Sequence, residues 1–310
     1  MQTEATIERI ALLARLESRD RSVVGILANY WALTKPDVNF LIAITVFAGF
    51  CLARPTTLQS FPYALLIHTL LGTLLVAGGS GTLNQVIERR FDSQMRRTSR
   101  RPLVAGNISP LRALWFGILL SSCGAIYLAL AVNLLSSLIA VLTLAGYLAI
   151  YTPLKRKTPL CTFVGALPGA APPLIGWAAA SGKLSFEAWL LFSMLFLWQF
   201  PHFMAIAWMY REDYDRAGYR VLPESGKRHR FVALQSILPA LLMVPLSLMP
   251  ALLGEEGRTY LVGAALLSSA FLYSAARLAL DRSNAIARRL LLASIVYLPS
   301  IFLLLLLDRK

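Results

Sequence analysis

Nine stretches of the chain are apolar almost throughout: 37–53, 63–88, 111–131, 134–152, 161–181, 185–210, 231–253, 259–280 and 287–307. Each is close to the roughly 20 residues a helix needs to cross about 30 Å of hydrocarbon. None alternates apolar and polar positions at period two, so membrane strands are not predicted. The pattern predicts an all-α polytopic membrane protein with nine transmembrane helices in a bundle. The connections are short and leave no room for an inserted soluble domain. Residues 1–36 are expected to form a cytoplasmic N-terminal segment and residues 37–310 the membrane domain. Within the first segment, 6–17 (TIERIALLARLE) reads as a short amphipathic helix on the membrane surface.

Charge fixes the expected orientation. Only 15% of the 310 residues are charged, against roughly 25% in soluble domains. With the N-terminus placed in the cytoplasm, 25 of the 30 Lys and Arg residues fall on the inner segments and 5 on the outer ones. This is a positive-inside pattern, and with nine spans it puts the C-terminus outside. The net charge of +14 is then topology and attraction to anionic membrane lipid, not a nucleic-acid footprint. Cys51, Cys123 and Cys161 lie in apolar runs and read as packing residues. No apolar signal core precedes residue 37, and Glu4, Glu8, Glu17 and Asp20 argue against a transit peptide. The expected location is a bacterial plasma (inner) membrane.

Against this apolar background the acids are informative. Asn84, Glu88 and Asp92 are spaced i, i+4, i+8 at the inner end of the second span, so they share a helical face. An amide and two carboxylates offer hard oxygen ligands of the kind Mg²⁺ takes together with water and phosphate oxygens. The alternative is a solvated helix end whose acids balance Arg89, Arg90, Arg96 and Arg97. A second cluster ends the sixth span: Gln199 and His202, then Glu212, Asp213, Tyr214 and Asp215. Both spans run from outside to inside, so topology alone puts both acidic clusters at one membrane face. Tyr151 and Lys155, with Arg96, Arg97 and Arg101, add cations at that same face. Cations beside carboxylates suit a diphosphate, although inner loops are basic in any case. His202 is open between a porphyrin contact and a hydrogen bond within the bundle. Asp37 and Asn39 begin the first span and either reach the same inner cavity or cap the helix after Pro36, with the cap the favoured reading.

Several ordered segments carry a resemblance. They are Asn84-xxx-Glu88-xxx-Asp92-xx-Met95-x-Arg97-Thr98-xx-Arg101-Pro102, Leu33-Thr34-Lys35-Pro36, Tyr151-Thr152-Pro153-Leu154-Lys155-Arg156, Trp198-Gln199-Phe200-Pro201-His202-Phe203 and Asp213-Tyr214-xx-Ala217-Gly218. Together they resemble the UbiA superfamily of intramembrane prenyltransferases, and within it the branch that acts on heme. The resemblance spans about residues 30–300. Glu88 stands where the wider superfamily often has Asp, and the second acidic motif is irregular, with Asp213 the favoured metal-facing acid. The resemblance implies transfer of the farnesyl group of farnesyl diphosphate to heme b, with hydration, giving heme O. It implies Mg²⁺ held by Asn84, Glu88, Asp92 and Asp213, with Lys155 assisting the departing diphosphate. It implies substrate contacts from Arg97, Arg101, Tyr151, Gln199, His202 and Tyr214. Heme is then a substrate, not a fixed cofactor, and a heme A synthase is a candidate downstream partner. The competing readings are another aromatic or lipid prenyltransferase of the same superfamily, or a membrane transporter with an ion path near the midplane.

Overall fold

The computed structural model describes residues 22–53 and 61–309. Among the described residues every regular element is a helix, apart from one isolated bridge between Glu256 and Arg309. The helices are α1 Val23–Leu33, α2 Pro36–Leu52, α3 Tyr63–Asp92 and α4 Pro110–Ala131. α5 (Leu134–Leu154) and α6 (Cys161–Ser181) follow. The chain then forms α7 Phe186–Met209, a short α8 Arg211–Arg216, α9 Ser225–Leu252, α10 Arg258–Leu280 and α11 Asn284–Leu307.

Several helix starts are written in the sequence as side-chain caps. Ser22 Oγ accepts from the Gly25 amide at 3.0 Å, Asn133 Oδ1 from Ser136 at 2.8 Å, and Ser283 Oγ from Ile286 at 3.2 Å. Pro110 opens α4, where its missing N–H costs nothing.

Eight of these helices are long and apolar enough to cross a membrane. The first expected span appears as the 17-residue α2. α1 precedes it at an angle of 53°, and the bent pair counts as a ninth span if taken together. The residues just before 37 are therefore helical, which the sequence reading did not anticipate. The expected surface helix 6–17 lies outside the described residues. The expected cap also shifts. Lys35 takes the N-cap position of α2, Asp37 falls in its first turn, and Asn39 Nδ2 reaches back to the Thr34 carbonyl at 3.0 Å.

Sequential helices pack side by side, and α11 returns against α2 to close the ring. α6 and α7 are the most buried spans. Without a hydrophobic drive between helices in lipid, close approach depends on small residues. Gly79 of α3 faces Gly117 and Ser121 of α4, and Gly124 of α4 faces Gly72 and Val76 of α3. Gly176 of α6 lies directly against the backbone of Val46 and Phe50 in α2. α6 is broken at Ala171, between Pro168 and Pro172, so its two halves follow the bundle interior.

Candidate active site

α3 stays helical past residue 88, as far as Asp92. That extension carries Asn84, Glu88 and Asp92 along one face, and all three are buried. They line a cavity of about 500 Å³ enclosed by α2, α3, α5, α6 and α7, within the range of small-molecule sites. Its mouth is polar and its deeper walls are apolar, including Ile42, Val76, Leu144, Ile175 and Leu195.

Each member of the α3 row is held by a different element. Lys155 Nζ donates to Glu88 Oε1 at 2.9 Å, and Arg101 Nη1 to Asp92 Oδ2 at 2.5 Å. Asn84 Oδ1 accepts from Lys35 Nζ at 2.7 Å, and its Nδ2 donates to Thr152 Oγ1 at 3.2 Å. Thr152 in turn donates to the Tyr147 carbonyl at 2.8 Å. Thr98 Oγ1 donates to the Asp92 carbonyl at 2.7 Å, tying the basic loop to the helix end.

Lys35 was read in the sequence only as a motif letter, yet it enters the heart of the site. Among the described residues it is the one non-glycine residue in the left-handed region, with φ 56° and ψ 64°. Such strain persists where surrounding structure enforces it, and functional sites are where it gathers. The break between α1 and α2 turns the Lys35 ammonium into the cavity. Gln85 Nε2 fixes the same break by donating to the Leu33 carbonyl at 2.8 Å.

α5 ends in a π-helical turn, Gly146–Tyr151. Such turns shift the register of a helix and recur at functional sites. Here Tyr147, Tyr151 and Lys155 all line the cavity. Lys155 Nζ lies 4.5 Å from the centroid of the Tyr151 ring, a cation–π distance. Arg97 also lines the cavity and stands 5.3 Å from the Tyr210 ring centroid.

On the α7 wall, His202 Nδ1 shares a hydrogen bond with Ser294 Oγ at 2.8 Å and stacks on Trp198, with ring centroids 4.6 Å apart. Trp198 Nε1 donates to the Ser294 carbonyl at 2.8 Å. Gln199 lines the cavity too, but its amide donates to the carbonyls of Ala166 and Leu195, both at 3.1 Å. Gly169 of α6 packs directly on the Gln199 side-chain oxygen. Tyr214 reaches the cavity from α8, edge-on to Tyr219. Burial pushes the Tyr219 phenol well above the ordinary tyrosine range.

The second acidic cluster is dispersed. Asp213 is buried, but it is not on the cavity wall, and its Oδ1 accepts from Arg216 at 3.1 Å. Asp215 is held by both terminal nitrogens of Arg228, at 3.0 and 2.9 Å. Glu212 is exposed beside Arg211. The structure thus gathers Asn84, Glu88, Asp92, Lys155, Arg97, Arg101, Tyr151, Gln199, His202 and Tyr214 around one cavity and leaves Asp213 beside it.

Asp92 Oδ1 is buried and has no hydrogen-bond partner among the described residues. An orphaned carboxylate oxygen next to Glu88 and Asn84 suits a Mg²⁺ ion. No group of three His, Cys, Asp or Glu residues converges as a metal cage among the described residues. Mg²⁺ sites of this type use one or two carboxylates and complete the shell with water and substrate phosphate.

A helical membrane bundle whose carboxylates and cations face a deep apolar cavity is the architecture of an intramembrane prenyltransferase. The profile of the UbiA prenyltransferase family matches residues 42–301, and the chain belongs to that family. It is 50% identical to a protoheme IX farnesyltransferase of Solibacter usitatus, over 91% of this chain and 98% of that protein. The protein of the same name from Salinibacter ruber is 43% identical, over 90% of this chain and 98% of its own length. Among solved structures, one concerning digeranylgeranylglyceryl phosphate synthase in membranes superposes with a TM-score of 0.73 at 19% identity, covering 91% of this chain and 98% of that one. A UbiA homologue from Archaeoglobus fulgidus bound to GPP and Mg²⁺ gives 0.61 at 17% identity, covering 89% and 99%. These structures share the fold.

Proposed function

We propose that this protein transfers the farnesyl group of farnesyl diphosphate to a vinyl group of heme b, with addition of water, giving heme O and diphosphate. The observation that carries this reading is the pairing of a charged mouth, Lys35–Asn84, Lys155–Glu88 and Arg101–Asp92, with an apolar cavity beneath it. The identity to protoheme IX farnesyltransferases along nine-tenths of the chain supports heme as the acceptor.

The residues divide the work by position. Lys35, Lys155, Arg97 and Arg101 hold the diphosphate by charge-assisted hydrogen bonds, which strengthen as negative charge collects on the leaving group. Asn84, Glu88 and Asp92 hold Mg²⁺, which supplies charge neutralisation to the departing diphosphate. Asp213, buried beside the cavity with Arg216 as its partner, is assigned to the same metal site from α8. The apolar walls receive the farnesyl chain and keep water from C1 until the vinyl carbon has bonded to it. Water then adds to the porphyrin side chain, and the proton it sheds leaves through the polar mouth. His202, oriented by Ser294 and Trp198, is the porphyrin contact on the α7 wall. Gln199 links α6 to α7 and shapes that wall. The basic bias of the segments flanking the spans supports an inner-membrane orientation with this mouth facing the cytoplasm.

Lys35→Met keeps the length of the side chain and removes its charge. The Michaelis constant for farnesyl diphosphate is expected to rise about tenfold, the scale of one hydrogen bond to a charged group, with heme affinity unchanged. Steady-state kinetics with each substrate varied separately would show it, and equal losses for both substrates would remove Lys35 from the diphosphate half.

Acceptor choice is tested by competition. The purified protein is given labelled farnesyl diphosphate and Mg²⁺ with heme b, 4-hydroxybenzoate and a glycerol-phosphate lipid together. Label is expected in the heme fraction alone. Label in an aromatic acid or a lipid would keep the diphosphate site and refute the acceptor.

A further inference from the structure

A second cavity, of about 470 Å³, opens at the end of the bundle away from the Asn84–Asp92 row. It lies between the C-terminal ends of α2, α6, α9 and α11 and the start of α7. Leu52, Trp177, Leu190 and Leu305 give it apolar walls, and Glu187, Glu255 and Glu256 face Lys183 and Arg309 around it. Three carboxyl groups thus face two cations.

Glu256 is the telling residue. It is 4% exposed, and its Oε2 is buried without a hydrogen-bond partner among the described residues. The neighbouring acid at this end, Asp308, is already satisfied, because its Oδ2 accepts from the Tyr260 amide at 2.7 Å. Among the described residues Arg309 meets Glu256 through a backbone bridge, and its guanidinium turns to the Cys51 carbonyl at 3.5 Å. Burial accordingly pushes the Glu256 carboxyl up to about 7. An uncompensated carboxylate in a cleft costs free energy that a ligand with N–H donors can recover.

The chemistry narrows the ligand. An anion would meet the three carboxyl groups. A metal ion held by one or two carboxylates would need water or phosphate to complete its shell, and the apolar walls of this cavity favour an organic cation instead. An ammonium with three N–H donors matches a carboxylate with a free oxygen. The apolar walls, together with exposed Phe186, Trp189, Leu252 and Leu253 beside the opening, place that ammonium on a membrane lipid. We propose that this cavity binds the headgroup of a phospholipid bearing a primary ammonium. Glu256 accepts from the ammonium, and Lys183 and Arg309 meet the phosphate.

The test uses the full-length protein, delipidated in detergent and titrated by native mass spectrometry. The probes are phosphatidylethanolamine, phosphatidylcholine of the same acyl chains, and free ethanolamine. Trimethylation removes every N–H donor, so the wild type is expected to prefer phosphatidylethanolamine by about tenfold, the scale of one charged hydrogen bond. Glu256→Gln is expected to erase that preference while prenyl transfer at the other end of the bundle continues. Equal binding of the two lipids by the wild type would overturn the proposal, and this comparison stands even if the variant misfolds. So would a folded Glu256→Gln protein that keeps the preference. Free ethanolamine binding as tightly as the lipid would assign the cavity to a soluble amine and overturn the lipid assignment.

Discussion

Asp92→Asn is expected to reduce heme farnesylation by about 10³-fold, with the protein still inserted and monodisperse. The substitution preserves volume, so packing around the α3 terminus is undisturbed. What it removes is charge. Asp92 holds Arg101 through Oδ2 at 2.5 Å, and its Oδ1 is buried at the cavity with no partner among the described residues. Removing one preorganised electrostatic contact at a site of developing charge costs about 10²–10³ in turnover, and here a metal contact and the orientation of Arg101 fail together. Initial rates at saturating Mg²⁺ and farnesyl diphosphate measure the loss. A rate within tenfold of the wild type would place the metal elsewhere, with Asp213 and Glu88 as the next residues to substitute.

Gly176→Leu is expected to abolish the folded protein. A Cβ at 176 would run into the Val46 carbonyl and the Phe50 amide of α2, and main chain cannot rotate aside as a side chain can. Overpacking a well-filled core costs typically 1–3 kcal/mol, and a clash with backbone should exceed about 3 kcal/mol on the same scale. Since α2 also carries the Lys35 break, the cavity would be lost with the helix pair. Gly226→Leu is the control, because a Cβ there meets nothing within 4 Å. Yield and thermal unfolding in detergent distinguish the two. A monodisperse Gly176→Leu protein with near wild-type melting would show that α2 and α6 can separate.

Much of this arrangement was legible in the chain, because its signals are local. Apolar length marked eight of the spans directly, since bilayer thickness sets it. The row Asn84, Glu88, Asp92 was legible because helical period alone puts those positions on one face. Lys35 was not, because its role depends on a left-handed residue between two helices that meet at 53°. The Thr34-Lys35-Pro36 sequence marked a boundary, since a residue before proline resists the α conformation, but not the direction in which the side chain would turn. Thr152 was missed for a related reason. Its contact with Asn84 is made across 68 residues of sequence and beside a π turn that periodicity does not reveal. Asp213 was legible as an acid at the same membrane face, but its pairing with Arg216 three residues on, beside the cavity and not on its wall, was not.

The most direct test of the central claim is the mass of the heme product. Purified protein is incubated with heme b, farnesyl diphosphate and Mg²⁺, and the extracted hemes are resolved by chromatography and mass spectrometry. The account predicts heme b converted to a species heavier by one farnesyl group and one hydroxyl, formed in the wild type and missing with Asp92→Asn. Unmodified heme b in the presence of bound, intact farnesyl diphosphate, or a farnesylated heme that forms equally in Asp92→Asn, would contradict it.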